Sequence, residues 1–414
     1  MQSASITELV SQTMLALQRM GLTVYSTWVM FGHTFNPIIR MHELSGKEHF
    51  DRGIVTEFIQ RNEERFDRQE ITYNHYRTRK LCAQRLTEMH DNGRIEWSAQ
   101  GKPSKFVLNE YYEQILADFV PGEKVSSKAK SDITWIARKY FAWLIQEGHE
   151  DLTHVGVGEV QRFMIYCSGH MASSGIHNAK LYMKKLYRYL ADHGYSDENY
   201  DGLFSIPVLR GSKLYPAVSR DEIAMTLDMI DQRIPQGKRD YAMILIGAVT
   251  GLRAIDIAKM KLSDIDWRKG EIKIVQSKTG KSLALPLTKD IGDAISEYIL
   301  KARQKSDFDN VFLRMKPPFR PFSNGVAIGD IYDYYRKRTG LPRDAHDGMG
   351  FHSLRRSLGK NLVTSGAKIT MVAQILGDSD IESTKKYISL DSEHLKECAL
   401  CFTGIKPKRG VMSL

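Results

Sequence analysis

Two short β-rich runs, Glu271–Gln276 and Ser282–Leu287, interrupt a chain otherwise written in a helical period. Ser277-Lys278-Thr279-Gly280-Lys281 joins them, and its glycine suits a tight turn, so the pair reads as one antiparallel hairpin. On either side, apolar residues recur at three- and four-residue steps, the spacing that puts them on one face of a helix. The expected fold class is mainly α with a small antiparallel β-sheet.

A length of 414 residues implies more than one domain. The first stretch, to Phe119, carries amphipathic segments at Ile54–Arg61 and Tyr76–His90, the latter closed by Asn92-Gly93. Val120-Pro121-Gly122 breaks the pattern, and a helix restarts near Ser126 with Ile133, Ile136, Tyr140 and Leu144 on one stripe, ending at Gly148. A second helix is expected over Val157–Tyr166, and a third from an N-cap at Ser174 to His193, before Gly194. Residues 205–218, with two prolines and a Gly-Ser, read as a linker. Ser219-Arg220-Asp221-Glu222 then opens a new helix with a capping-box pattern. After Pro317-Pro318 the pattern is helical to about Phe402, and a basic tail follows. The expected divisions are 1–119, 120–204, the linker 205–218, 219–395 and a tail at 396–414.

Charge narrows the partner. Lys and Arg number 59 against 49 Asp and Glu, a net charge of +10, which favours a polyanion, nucleic acid before membrane. The third helix of the middle region has two faces: Ala179, Met183, Leu186 and Leu190 are apolar, while His177, Lys180, Lys184 and Arg188 form a basic stripe. Most such stripes are solvated surface; the alternative is a helix laid along phosphates. The longest apolar run, Ala242–Val249, is far short of the ~20 residues that a bilayer helix needs. The N-terminus lacks the basic segment of a secretory signal, and four cysteines are too few for a disulfide framework in so long a chain. A reducing cytoplasm is therefore the expected location. Cys398 and Cys401 form a lone pair near His394, weak grounds for zinc, and no Walker or G-x-G-x-x-G sequence is present. No metal or nucleotide cofactor is expected.

Three local features carry candidate chemistry. Thr250-Gly251-Leu252-Arg253 ends an apolar helix at a glycine, so Arg253 can project from the start of the next helix; alone, it reads as an ion-pair partner, for instance of Asp256. His352-Ser353-Leu354-Arg355 puts His352 and Arg355 three apart on one helical face, an imidazole beside a guanidinium, with Leu354 pointing inward. Leu376-Gly377-Asp378 stops a helix, Ser379 or Asp380 can cap the next, and Tyr387 falls late in it. A lone tyrosine on a helix is most often a packing residue.

Taken in order, Gly251-Leu252-Arg253, Lys278 in the hairpin turn, His352-x-x-Arg355 and Tyr387, 32 residues beyond Arg355, resemble the pattern of the tyrosine recombinases, or phage integrases. The resemblance covers about 219–395, and 126–199 is similar to that family's core-binding domain; residues 1–119 match no pattern of it. It implies a helical core-binding domain followed by a catalytic domain holding the small sheet, the two closing on a DNA duplex like a C. It also implies a catalytic set of Arg253, Lys278, His352, Arg355 and Tyr387, with Asp378 as a positional match. In this reading Tyr387 attacks a phosphodiester, the arginines stabilise the charge that develops, Lys278 protonates the leaving 5′-hydroxyl, and His352 orients the phosphate and accepts the tyrosine proton. Lys281 is a rival for the acid role.

One position departs. The family pattern has Leu-Gly-His where this chain has Leu376-Gly377-Asp378, nine residues before Tyr387. An ionised carboxylate cannot donate a hydrogen bond and repels phosphate, so Asp378 is expected to cap the helix toward Tyr387 or to pair with a cation. The implied partners are double-stranded DNA, three further copies of the chain in a homotetramer on two sites, and accessory DNA-bending or directionality proteins, with no membrane. The implied role is integration, excision or transposition of a mobile element. The alternatives are a non-catalytic DNA-binding regulator with a decayed site and a type IB topoisomerase or resolvase-like enzyme.

Overall fold

The computed structural model describes residues 4–97, 104–196, 200–205, 215–342, 347–378 and 384. Two compact units emerge, one drawn from 1–98 with 214–414 and the other from 99–213.

Residues of the first stretch form α1 (Ile6–Arg19), α2 (Val24–Met30), α3 (Asn36–Leu44), α4 (Arg52–Asp67) and α5 (Tyr73–Asn92). Ser5, Thr23, Asp51 and Thr72 start four of these helices by accepting a backbone N–H that has no intrahelical partner. Leu17, Phe35, Ile38 and Leu86 fill the space among them. The Arg320 guanidinium donates to the Trp97 carbonyl at 2.8 Å, tying the end of this region to the C-terminal part of the same unit.

The other unit holds α6 (Glu110–Gly122), α7 (Ser127–Gln146), α8 (Val157–His170) and α9 (Ser173–Asp192). The break expected at Val120-Pro121-Gly122 falls after it, because α6 runs through Pro121 to Gly122. A proline is tolerated in a last turn when its ring meets no tightly held carbonyl one turn back. Ser126 caps α7 as the sequence implied, and Ile133, Ile136, Tyr140 and Leu144 are buried. The N-cap of α9 is Ala172 rather than Ser174, so that helix begins without a side-chain cap. Its start is held instead by packing: Ala179, Met183, Leu186 and Leu190 are all buried, and each large apolar side chain so buried is worth ~1.5–3 kcal/mol.

The rest of the first unit, described from Tyr215, holds Val218 in its core and continues with α10 (Arg220–Asp228), where Ser219 and Glu222 form the reciprocal capping box. Then come α11 (Pro235–Thr250), α12 (Ala254–Lys259), strands β1 (Ile265–Asp266), β2 (Glu271–Val275) and β3 (Ser282–Pro286), α13 (Lys289–Lys301), α14 (Val326–Arg338), α15 (His352–Thr364) and α16 (Ile369–Leu376). The sheet is antiparallel in the order β1-β2-β3, so the expected hairpin gains a short third strand. The apolar run in α11 is a core helix, packed on α13 and α15, with Ala242, Met243, Ile244 and Ile246 wholly buried. No described helix is long and apolar enough to cross a membrane.

Candidate active site

Arg253 is delivered by a break between two helices. α11 ends at Gly251, whose backbone is left-handed (φ 65°). The backbone angle is what demands glycine; a Cβ there would also press on Leu376 Cδ2 at 2.9 Å and Leu358 Cδ2 at 3.0 Å, side-chain ends that would have to shift slightly. Leu252 turns into the core and Arg253 becomes the N-cap of α12. Arg355 comes from the first turn of α15, whose inward side chain Leu354 is wholly buried, as expected.

Both guanidiniums meet on one carboxylate. Arg253 Nη2 lies 3.1 Å and Arg355 Nη2 2.6 Å from the same oxygen, Oδ1 of Asp378. Arg355 also donates to the Gly251 carbonyl at 3.0 Å and the Leu376 carbonyl at 2.7 Å, and its side chain is only 2% exposed. Two cations this deep in protein need a counter-charge, and Asp378 supplies it. Thr384 Oγ1 donates to the other carboxylate oxygen at 3.4 Å. Arg253 therefore is an ion-pair partner, of Asp378 and not of Asp256. The Asp256 carboxylate instead accepts the backbone N–H of Ser277 at 2.7 Å, which fastens the hairpin turn to α12. The capping role considered for Ser379 and Asp380 lies outside the described residues.

Lys278 sits exposed in the turn between β2 and β3. Its rival Lys281 lines an open groove of about 390 Å³ together with Leu283, Thr370, Gln374, Gly377 and Asp378. His352 is exposed at the N-terminal end of α15, one turn before Arg355. The shared face thus has one solvent-facing and one buried member, because the second turn-position packs under Gly251. Among described residues, Arg253, Arg355 and Asp378 are brought into direct contact, and Lys278 is linked to them through its turn.

Tyr387, Cys398 and Cys401 lie outside the described residues. Tyr332, Tyr334 and Tyr335, all on α14 of the same unit, are described. Tyr332 is wholly buried and Tyr335 donates its hydroxyl to Asp240 at 3.0 Å. Burial pushes both phenols above the ordinary tyrosine range, and the Asp240 carboxylate adds to the effect at Tyr335. Tyr334 is exposed. In the other unit, His177, Lys180 and Lys184 are partly buried on α9 and Arg188 is exposed. Among the described residues no group of His, Cys, Asp and Glu could hold a metal ion.

Sequence reasoning passed over Gln276, which is wholly buried beside Arg253. A signal was there to read. In β2, Ile272 and Ile274 face inward, and the two-residue period places Gln276 next on that same face. A buried amide must have partners, so a polar residue in that register marks a site.

The sequence pattern of the phage integrase family matches residues 217–394. A putative integrase/recombinase of Sinorhizobium fredii, y4rA, is 30% identical over 65% of this chain, which spans 65% of that relative's length, less than two thirds. A second from the same organism, y4gC, is 32% identical over 45% of this chain and 95% of its own length. Among solved structures, XerH site-specific recombinase bound to palindromic difH substrate superposes with a TM-score of 0.54 at 17% identity, covering 71% of this chain and 90% of that one. The match in fold, the 217–394 pattern and y4gC matched over nearly its whole length agree: this chain belongs to the phage integrase family, the tyrosine recombinases.

Proposed function

We propose that the chain is a site-specific DNA recombinase that cuts and rejoins DNA through a 3′-phosphotyrosine intermediate, serving integration, excision or transposition of a mobile element. The observation that carries this reading is the convergence of two guanidiniums, from Arg253 and Arg355, on one anionic oxygen. A carboxylate oxygen held by two such groups stands in for a non-bridging phosphate oxygen in charge and in donor geometry. In the reaction the Tyr387 oxygen bonds to the scissile phosphorus, the bond to the 5′-oxygen breaks, and Lys278 gives that oxygen its proton. His352 takes the tyrosine proton. The arginines lower the barrier by holding the charge that accumulates on phosphorus-bound oxygens. The phosphotyrosine linkage retains the bond energy of the broken phosphodiester, so rejoining needs no other energy source.

The partners under this reading are double-stranded DNA and further copies of the chain, a homotetramer on two sites, with accessory DNA-bending or directionality proteins. Nicked duplexes tiled from the DNA flanking the gene for this chain test it. Trapping of a covalent protein–DNA complex is the expected result. DNA binding with no complex on any duplex would favour the non-catalytic regulator, a reading that Asp378 supports because it already occupies both guanidiniums. Plasmid relaxation by a monomer without paired sites would favour the topoisomerase.

The α9 stripe enters as the non-specific contact. Replacing Lys180, Lys184 and Arg188 by Gln should weaken DNA binding and flatten its salt dependence by a slope of roughly 1 per lost phosphate contact. An unchanged slope in filter binding or fluorescence anisotropy returns these residues to a solvated surface.

Asp378 gives a sharper expectation. Asp378→Asn keeps an oxygen that both arginines can donate to, and should keep most single-turnover cleavage. Asp378→His restores a donor toward phosphate and should cleave as fast or faster. Asp378→Ala leaves one buried and one half-buried guanidinium with no shared acceptor and should lose more than Asn. If Asn is as inactive as a chain without its nucleophile, the carboxylate itself is required and this account of it fails.

A further inference from the structure

Gln276 joins three parts of the site that are remote in sequence. Its Oε1 accepts from Arg253 Nη1 at 3.0 Å and from Thr279 Oγ1 at 2.8 Å, and its Nε2 donates to the Leu376 carbonyl at 3.0 Å. The amide can be oriented only one way. A guanidinium has no acceptor and a carbonyl has no donor, so Arg253 requires the oxygen and Leu376 the nitrogen. The backbone of the same residue closes the turn, since its N–H donates to Lys281 and its carbonyl accepts from Gly280. The Leu376 carbonyl is shared, receiving Arg355 as well. Gly377 packs so closely that a Cβ there would come within 2.5 Å of the Gln276 nitrogen, in a left-handed backbone (φ 65°) that a side chain would strain.

We propose that Gln276 is a positioning residue for strand transfer, setting the Arg253 guanidinium and the Lys278 turn in one register against the Leu376–Asp378 segment. The inference rests on the reading of the chain as a strand-transfer enzyme, which assigns Arg253 to phosphate and Lys278 to the leaving group. A buried amide with three partners on three segments does what three separate contacts could not: a shift in any one segment is felt by the other two. Thr279 is the tie to the turn and Arg253 the tie to the charge, so the two effects can be separated.

The test compares Gln276→Met, which keeps bulk and loses every side-chain bond, with Thr279→Val, which leaves Arg253 and Leu376 their bonds to Gln276 and cuts the tie to the turn, together with the long 3.5 Å bond that Thr279 Oγ1 accepts from the Lys281 N–H. The probes are the nicked duplexes described above and the same duplexes carrying sulfur in place of the bridging 5′-oxygen. A thiolate leaves without a proton, so sulfur bypasses the general acid while leaving the arginine's task unchanged. Gln276→Met should cleave natural DNA on the order of 10- to 100-fold more slowly, the scale of a misplacement of ~1 Å. Its DNA affinity should hold, and sulfur should restore part of the rate. Thr279→Val should lose less, and sulfur should restore nearly all of it.

Cleavage by Gln276→Met within threefold of the parent overturns the proposal, as does a loss equal on oxygen and sulfur in both variants. If Gln276→Met melts far below the parent, the Thr279→Val ratio decides alone. If the parent forms no adduct on any duplex, the strand-transfer reading is what fails. Amide hydrogen exchange of residues 276–281 in the DNA-free protein then judges Gln276 separately. Faster exchange in Gln276→Met upholds its hold on the turn, and unchanged exchange overturns it.

Discussion

Tyr387→Phe should bind DNA as the parent chain does and form no covalent adduct. The substitution leaves the ring and removes one oxygen, the attacking atom of the proposed reaction. Loss of a nucleophile in enzymes that form covalent intermediates costs on the order of 10,000-fold or more. Two described tyrosines of α14 are poorly suited to replace it. Tyr332 is wholly buried, and Tyr335 is committed to Asp240, with burial holding both phenols in the protonated form. An adduct that persists in Tyr387→Phe, seen as a shifted band after denaturation, would move the assignment to exposed Tyr334.

The second large effect belongs to the arginines. Arg355→Lys keeps the charge and loses the fork, and both terminal nitrogens of the fork are in use, serving the Gly251 carbonyl, the Leu376 carbonyl and Asp378. A lysine nitrogen at the end of a flexible stem cannot reach all three in that geometry. Single-turnover cleavage should fall on the order of 100-fold or more, the usual loss for one preorganised transition-state donor. Arg253→Lys should lose at least as large a share of transition-state stabilisation with less effect on melting, because Arg253 touches side chains of Gln276 and Asp378 where Arg355 also holds backbone. Near-normal rates in both variants would make these arginines structural and would remove the ground for the proposed reaction.

Much of this arrangement was written locally in the chain. Gly251 announces that Arg253 leaves a buried helix, and Ser219 with Glu222 announces a helix start, because both signals depend on residues within four positions. The hairpin was legible from alternation, and β1 was not, since two residues carry no period. What the sequence hid was pairing at a distance. Arg253 finds Asp378 across 125 positions, and Gln276 finds Leu376 across 100, so neither partner could be named from spacing. The α9 N-cap was misread for another reason. Ser174 is of a type that suits a cap, yet the helix begins earlier, where burial of its apolar stripe fixes the phase. Packing outweighed a cap worth ~1 kcal/mol.

The depth of Arg355 has a consequence for ionic strength. Between about 0.1 and 1 M salt the Debye length contracts from ~10 to ~3 Å, and exposed charges lose most of their reach. Contacts made by a surface stripe such as α9 are subject to that contraction. A guanidinium with 2% of its side chain exposed is shielded from mobile ions by protein, and its field survives. Capture of DNA and breakage of its backbone should therefore respond differently to salt in this molecule. High salt should slow the loading of free duplex many-fold, while duplex already seated in the site should be cut at a nearly constant rate.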